Sequence, residues 1–267
     1  MRSRIETEAL GNIQNPAIFM VSGWAMPKEV MRPFALALSQ KYYVVLANLP
    51  GISNDESWVD RSRTGMNYDI DALTEQLIDV APDEAWWLGW SLGGMISAYV
   101  AARRSSCVNG LITIASLPSF VEREGWQYGM SIETFDEFVG SVKAAPKQSL
   151  KRFLGLQTLG AQDPKNLMKT LAQAIPMESL NPTALVGGLR LLKGLDVRRE
   201  WSLLNVPSLH ILGANDTLVS KVALEDYTVD QPIQKNVILA DCAHQPFIEY
   251  PQLCVQEIEN FIDANHP

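Results

Sequence analysis

The stretch WWLGWSLGGM, residues 86–95, runs apolar into a single serine, Ser91, and surrounds it with Gly89, Gly93 and Gly94. Read with its flanks, AWWLGW (85–90) is a strand buried on both faces and GGMISAYVAARR (93–104) is the helix that follows. Ser91 is then the turn between them. So sharp a turn forces strained backbone angles on the serine. Side chains two residues before and two after would collide, and Gly89 and Gly93 avoid this. The turn lifts the hydroxyl above the carboxyl edge of the sheet. It also sets the Leu92 N–H at a helix N-terminus, where developing negative charge is stabilised. A glycine-rich turn that merely caps a helix would use the same residues, so the reading depends on the rest of the chain.

The rest of the chain repeats the strand–helix alternation. AIFMVSGW (17–24), YYVVLANLPG (42–51), GLITIASLP (110–118), VPSLHILGAND (206–216) and NVILADCAH (236–244) are nearly continuous apolar runs, as strands buried in a parallel sheet should be. Helical patterns at 28–40, 68–81, 93–104, 219–227 and 251–264 separate them, which predicts an α/β fold with a mostly parallel sheet and helices on both faces. Between Ser119 and Gly188 the alternation stops. Helices are expected at 131–145 behind the N-cap Ser131, at 146–160 behind Pro146, at 164–176 and at 183–195. The expected organisation is a core of 1–118 and 189–267 with a helical lid, 119–188, inserted in it.

The composition sets limits on function. Nearly half of the 267 residues are apolar, enough for a large core, and the net charge of −8 argues against nucleic acid or an anionic membrane as partner. No apolar run is long enough to span a bilayer, and MRSRIETEALGN (1–12) lacks the apolar segment of a signal peptide. Cys107, Cys242 and Cys254 have neither metal-site nor redox spacing and read as reduced thiols of a cytosolic protein. No cofactor or metal is expected, and the chain is expected to be a monomer.

A serine hydroxyl needs a base, and the base needs an acid to orient it. Of the three histidines, His210 lies inside the apolar run SLHILG and reads as a buried strand residue, and His266 is next to last. His244 follows the strand VILADCA at its carboxyl end, within reach of the serine. Asp216 closes HILGAND at another strand's carboxyl end. Asp241 is the rival acid, but three residues before His244 on the same strand end it approaches from a poor direction. Ser91, Asp216 and His244 are the expected catalytic residues, in that chain order. The loop SGWAMP (22–27) follows the first central strand, so the Trp24 N–H should join the Leu92 N–H in an oxyanion hole.

At these residues the sequence resembles the α/β-hydrolase family. More narrowly, LGWSLGG, RFLGLQTLG (152–160), VGGLRLLKGLDVR (186–198) and AHQPFIEYP (243–251) resemble the pimeloyl-[acyl-carrier protein] methyl ester esterases of biotin synthesis. The resemblance implies hydrolysis of a carrier-linked methyl ester to methanol and the free acid. It implies an acyl pocket between core and lid lined by Trp24, Leu92, Phe153, Leu154, Gly155, Leu156, Gln157 and His244. Two departures bear on loop geometry: Ser22 stands where the family has histidine, and ISND follows Pro50-Gly51 where it has a second glycine and an arginine.

Charge bears on the partner. Residues 140–175 hold six basic side chains and one acid, on a chain of net −8. A basic lid suits docking of an acidic acyl-carrier protein through Lys147, Lys151, Arg152, Lys165 and Lys169; of these, Arg152 matches the family's docking arginines. The same basic residues on a solvated helix face would need no partner. A short-chain carboxylesterase, thioesterase or lactonase would use the same three catalytic residues. A non-catalytic binding protein would have no need of all three.

Overall fold

The computed structural model describes residues 5–53, 68–175, 177, 181–226 and 234–266. In chain order, β1 (Thr7–Leu10) and β2 (Ala17–Val21) precede α1 (Arg32–Leu38), β3 (Tyr43–Ala47) precedes α2 (Ile70–Ile78), and β4 (Ala85–Trp90) precedes α3 (Leu92–Arg103). After β5 (Val108–Ile114) come α4 (Ile132–Ala144), α5 (Pro146–Thr158), α6 (Pro164–Ala174), α7 (Pro182–Gly194) and the short α8 (Arg198–Ser202). The chain then runs through β6 (Ser208–Gly213), α9 (Lys221–Asp226), β7 (Gln234–Leu239), α10 (Pro246–Glu249) and α11 (Pro251–Asn265).

Among the described residues the seven strands form one sheet in the order β1-β3-β2-β4-β5-β6-β7. All pairings are parallel except β1 with β3, which is antiparallel. β2, β4 and β6 are buried at every position, which explains why they read as unbroken apolar runs. α1 packs with α11, while α2 and α8 pack with α3, giving two helical layers. From β2 the chain goes to β3 on one side and then to β4 on the other. The order therefore reverses between β2 and β4, and their carboxyl ends open the crevice where α/β sheets bind ligands.

The differences from the sequence reading have local causes. β1 was not expected: TEAL is four residues long, alternates half-buried with exposed positions, and carries a charge, as an edge strand does. The helix expected at 28–40 opens instead as a 3₁₀ turn, Lys28–Val30, before α1, because Pro33 cannot continue a helix begun at Lys28. The helix expected at 183–195 begins one residue earlier, as α7 from Pro182, because proline suits the first position of a helix. The caps of α4, α5 and α6 behave as anticipated, with Ser131 accepting from the Thr134 N–H and prolines opening α5 and α6, and Pro182 opens α7 in the same way. Positions 54 and 55, the end of ISND, lie outside the described residues. Among the described residues no helix is long and apolar enough to cross a membrane.

Candidate active site

Ser91 occupies the turn between β4 and α3 with φ 53° and ψ −118°, a left-handed backbone that costs a non-glycine residue energy. The turn is held by its own hydrogen bonds: Ser91 N donates to Ile114 O at 2.9 Å, and Gly94 N donates to Ser91 O at 2.9 Å. The flanking glycines are required by contact. A Cβ on Gly89 would lie 2.2 Å from Gly93 O, and one on Gly93 would lie 2.2 Å from Val21 O. The first turn of α3 is thereby pressed onto the end of β2. Among the described residues, neither the Leu92 N–H nor the Trp24 N–H donates a hydrogen bond.

The loop after β2 is fixed from below by a buried polar cluster. Lys28 Nζ meets Glu6 at 2.8 Å and Glu29 at 2.7 Å, and Lys28 N donates to Asn48 Oδ1 at 2.6 Å. Asn48 Nδ2 donates to Glu6 at 2.8 Å, and the Ser53 hydroxyl donates to the same carboxylate. Burial works against the Lys28 ammonium, but Glu29 and Glu6 outweigh it and hold its pKa above the usual value. Ala25 takes φ 60° in this loop, so the chain turns tightly straight after Trp24. Ser22 is buried, its hydroxyl 3.8 Å from Met31 Sδ.

His244 and Asp216 meet at 2.7 Å, Nδ1 to Oδ2, with side chains 1 % and 0 % exposed. The other carboxylate oxygen of Asp216 accepts the Leu218 N–H at 2.8 Å and the Val219 N–H at 3.1 Å. Those bonds fix the acid, and the acid fixes the ring with Nδ1 as the donor, leaving Nε2 as the acceptor. Nε2 is buried and has no hydrogen-bond partner among the described residues. The rival Asp241 sits exposed in a turn at φ 53°, and the carboxylate that His244 Nδ1 meets is that of Asp216.

Three contacts hold the backbone at Ala243 and His244. Trp90 Nε1 donates to His244 O at 3.0 Å, Ala243 N donates to Glu249 Oε1 at 2.9 Å, and His244 N donates to Gln157 O at 3.4 Å. Trp90 immediately precedes Ser91, so this first bond brings the histidine loop to the elbow. Burial raises the Glu249 carboxyl above its usual range, against the opposing pull of the Ala243 N–H and the Cys242 thiol. Cys242 is no competing nucleophile: it is fully buried, and burial drives its thiol pKa upward. His210 lies in β6 with Nδ1 2.8 Å from Thr113 Oγ1 and Trp201 stacked on its ring at 4.6 Å, a core residue as its sequence context suggested.

An aromatic group roofs the Trp24 loop. The Trp24 ring meets Phe153 at 4.9 Å and Phe138 at 5.5 Å, edge to face, while Phe138 and Phe153 stack at 5.6 Å. Trp24 Nε1 donates to Leu185 O at 2.8 Å, and a Cβ on Gly188 would lie 2.6 Å from the indole. Leu92 and Leu154 are buried and Gly155 is half-buried. Leu156 is 43 % exposed, since its place on α5 falls at the rim of the buried face rather than beside Leu154. Gln157 is buried and its Oε1 accepts from Gln245 Nε2 at 3.1 Å. Lys147, Lys151, Arg152, Lys165 and Lys169 are all exposed on α5 and α6.

Four of these contributors escaped the sequence reading. Phe138 could have been found from its spacing with Phe135 on an amphipathic helix. Trp90 read only as strand core, and Gln245 and Glu249 stood inside AHQPFIEYP with no role of their own. No group of three or more metal-ligating side chains occurs among the described residues. A groove of about 720 Å³ between Tyr43, Val80 and Asn109 includes none of the groups above. Chemically, a strained serine beside two undonated N–H groups, near a histidine with a buried acceptor nitrogen, is equipped for acyl transfer.

Residues 16–251 match the family model described as the alpha/beta hydrolase fold. The chain is 32 % identical over 253 residues to a pimeloyl-[acyl-carrier protein] methyl ester esterase of Aeromonas hydrophila, covering 93 % of this chain and 96 % of that one. It is 33 % identical to the protein of that name from Serratia marcescens, covering 93 % and 94 %. Among solved structures it resembles the enol-lactonase of Burkholderia xenovorans LB400, with TM-score 0.80, 17 % identity and coverage of 97 % and 96 %. It also resembles an esterase of Exiguobacterium antarcticum, with TM-score 0.82, 17 % identity and coverage of 97 % and 95 %. The lineage is thus fixed by sequence and shape together: the chain belongs to the α/β hydrolase fold family.

Proposed function

We propose that this chain, a carboxylic ester hydrolase, cleaves the methyl ester of pimeloyl-[acyl-carrier protein] through an acyl-enzyme on Ser91. His244 Nε2 takes the Ser91 proton as the oxygen attacks the ester carbonyl. The Trp24 and Leu92 N–H groups receive the negative oxygen of the tetrahedral intermediate. The protonated ring then gives its proton to the departing methoxide, releasing methanol. Water, deprotonated by the same nitrogen, attacks the acyl-enzyme, and the free acid leaves as Ser91 recovers its proton. Asp216 holds the ring's orientation and stabilises the imidazolium throughout. The observation that carries the mechanism is the buried His244–Asp216 pair with Nε2 unpartnered, tied by Trp90 to the elbow that bears Ser91.

The substrate reading draws on the two named relatives, which match nearly the whole chain. Helices α4 to α7 act in it as a lid over the acyl site, with Trp24, Phe138 and Phe153 as its apolar wall. The exposed basic residues of α5 and α6 receive the acidic carrier. The reaction belongs in the cytoplasm, where the three thiols stay reduced.

Complementation of a biotin auxotroph lacking its own esterase tests the reading. Growth rescue by the wild type and not by Ser91→Ala is expected. Failure of the wild type to rescue, together with rapid hydrolysis of small soluble esters, would leave a general short-chain esterase.

A further inference from the structure

The last carbonyls of an α-helix have no partners within it and must find them elsewhere. At the end of α5 they find them on the two loops that carry the acid and the base. Thr217 Oγ1 donates to Leu156 O at 3.1 Å, and His244 N donates to Gln157 O at 3.4 Å. Just past the helix, Asn215 Nδ2 donates to Gly160 O at 3.1 Å. Gly160 takes φ +95°, and a Cβ there would lie 2.4 Å from Asn215 O, so the close seat depends on a glycine. Asn215 and Thr217 flank Asp216 on both sides. His244 is the base, and Gln245 is its successor.

Gln157 supplies the most buried of these contacts. It accepts from His244 N through its backbone and from Gln245 Nε2 through its side chain at 3.1 Å. Gln157 is 2 % exposed and Gln245 0 %, and Gln245 Oε1 has no partner among the described residues. The amide bridge therefore satisfies Gln245 only in part. Without it both polar ends of that buried amide would be orphaned, and the chain at His244 would move to relieve them. The same helix carries Phe153 against Trp24.

We infer that Gln157 is a positioning residue for His244, so that α5 must be seated over the acyl site for the base to be aligned. The inference rests on the Ser91–His244–Asp216 mechanism proposed above. When α5 lifts, the roof and the alignment of the base are lost together.

Hydrolysis of a small p-nitrophenyl ester by Gln157→Ala, Gln245→Ala and the double variant tests it, with unfolding midpoints measured alongside. Gln245→Ala leaves every side chain of α5 in place and guards against a lid that fails to fold. Each single variant should lower kcat roughly 10- to 100-fold, the range expected of a misplaced catalytic group, with KM changed less than about twofold. The double variant should be no worse than the poorer single one, as two halves of one contact require. A raised KM with unchanged kcat in Gln157→Ala would mean a substrate contact and overturn the role. So would wild-type kcat in Gln245→Ala, or losses that simply add. Full turnover by Ser91→Ala overturns the mechanism itself and this role with it, whereas an inactive Ser91→Ala beside two normal glutamine variants overturns the role alone.

Discussion

The indole N–H of Trp90 donates to the carbonyl of His244 at 3.0 Å, so the residue before the nucleophile holds the residue that must deprotonate it. Trp90 is fully buried and also packs edge-on to Phe247 at 5.1 Å. Trp90→Phe keeps an aromatic ring and removes the donor. It should lower kcat by roughly tenfold or more through misplacement of the ring nitrogen. The orphaned carbonyl should cost about 1–3 kcal/mol of stability. Urea unfolding and ester kinetics on one preparation separate the two effects. Lower stability with an unchanged kcat would make Trp90 a core residue only.

Ser91→Ala, His244→Ala and Asp216→Asn should each reduce ester turnover by several orders of magnitude, with the fold intact by circular dichroism. A phosphonate esterase inhibitor should label Ser91, as mass spectrometry of the labelled peptide would show. Asp241→Asn should retain activity close to wild type, because that residue is exposed and His244 Nδ1 is already held by Asp216. A crippled Asp241→Asn beside an active Asp216→Asn would reverse the assignment.

Electrostatic capture of a carrier protein should be visible in salt. Exposed charges are screened over about 8–10 Å at ordinary ionic strength. Raising salt should therefore depress kcat/KM for a carrier-linked ester and leave a small neutral ester nearly unchanged. Arg152→Glu should act in the same direction, with the neutral ester as control for damage to the neighbouring Phe153. Equal losses on both substrates would locate the effect in the pocket instead.

Burial lowers the pKa of His210 from 6.5 to about 3. Between those values the unfolded chain binds a proton that the folded chain refuses. The contribution of neutral His210 is therefore fully present above pH 6.5 and is lost as pH falls toward 3. His210→Gln keeps a polar partner for Thr113 without a group that titrates there. Its stability should fall less steeply than wild type below pH 6.5, by at most about 1.4 kcal/mol per pH unit for one proton. Urea midpoints from pH 7 to 4.5 measure the difference, and parallel curves would refute it.

The strand–turn–helix at Ser91 was legible because its constraint is local: Gly89 and Gly93 are needed wherever a chain turns that sharply. Asp216 and His244 were legible because apolar runs ended just before them. Contacts made across the fold were not. Glu249 lies in PFIEY, where only the folded position of Ala243 N turns it into an anchor. Gln245 acquires its role from Gln157, 88 residues away. β1 was hidden for a different reason, as an edge strand of four residues with one side in water leaves almost no periodic signal.

Gly93 lies so close to Val21 O and Ser22 O that the first turn of α3 meets the end of β2 backbone to backbone. No side chain mediates that contact, so none can be exchanged to widen or narrow it. Mutational drift in the surrounding core can alter packing while the separation between the nucleophile and the N–H of Trp24 stays fixed. Diversification toward other esters can then run through the helices that roof the Trp24 loop. A graft of α4 to α7 from a relative of different selectivity should carry that selectivity with it, and should leave the rate of acylation to the recipient only where the grafted α5 keeps a glutamine at 157 to meet Gln245.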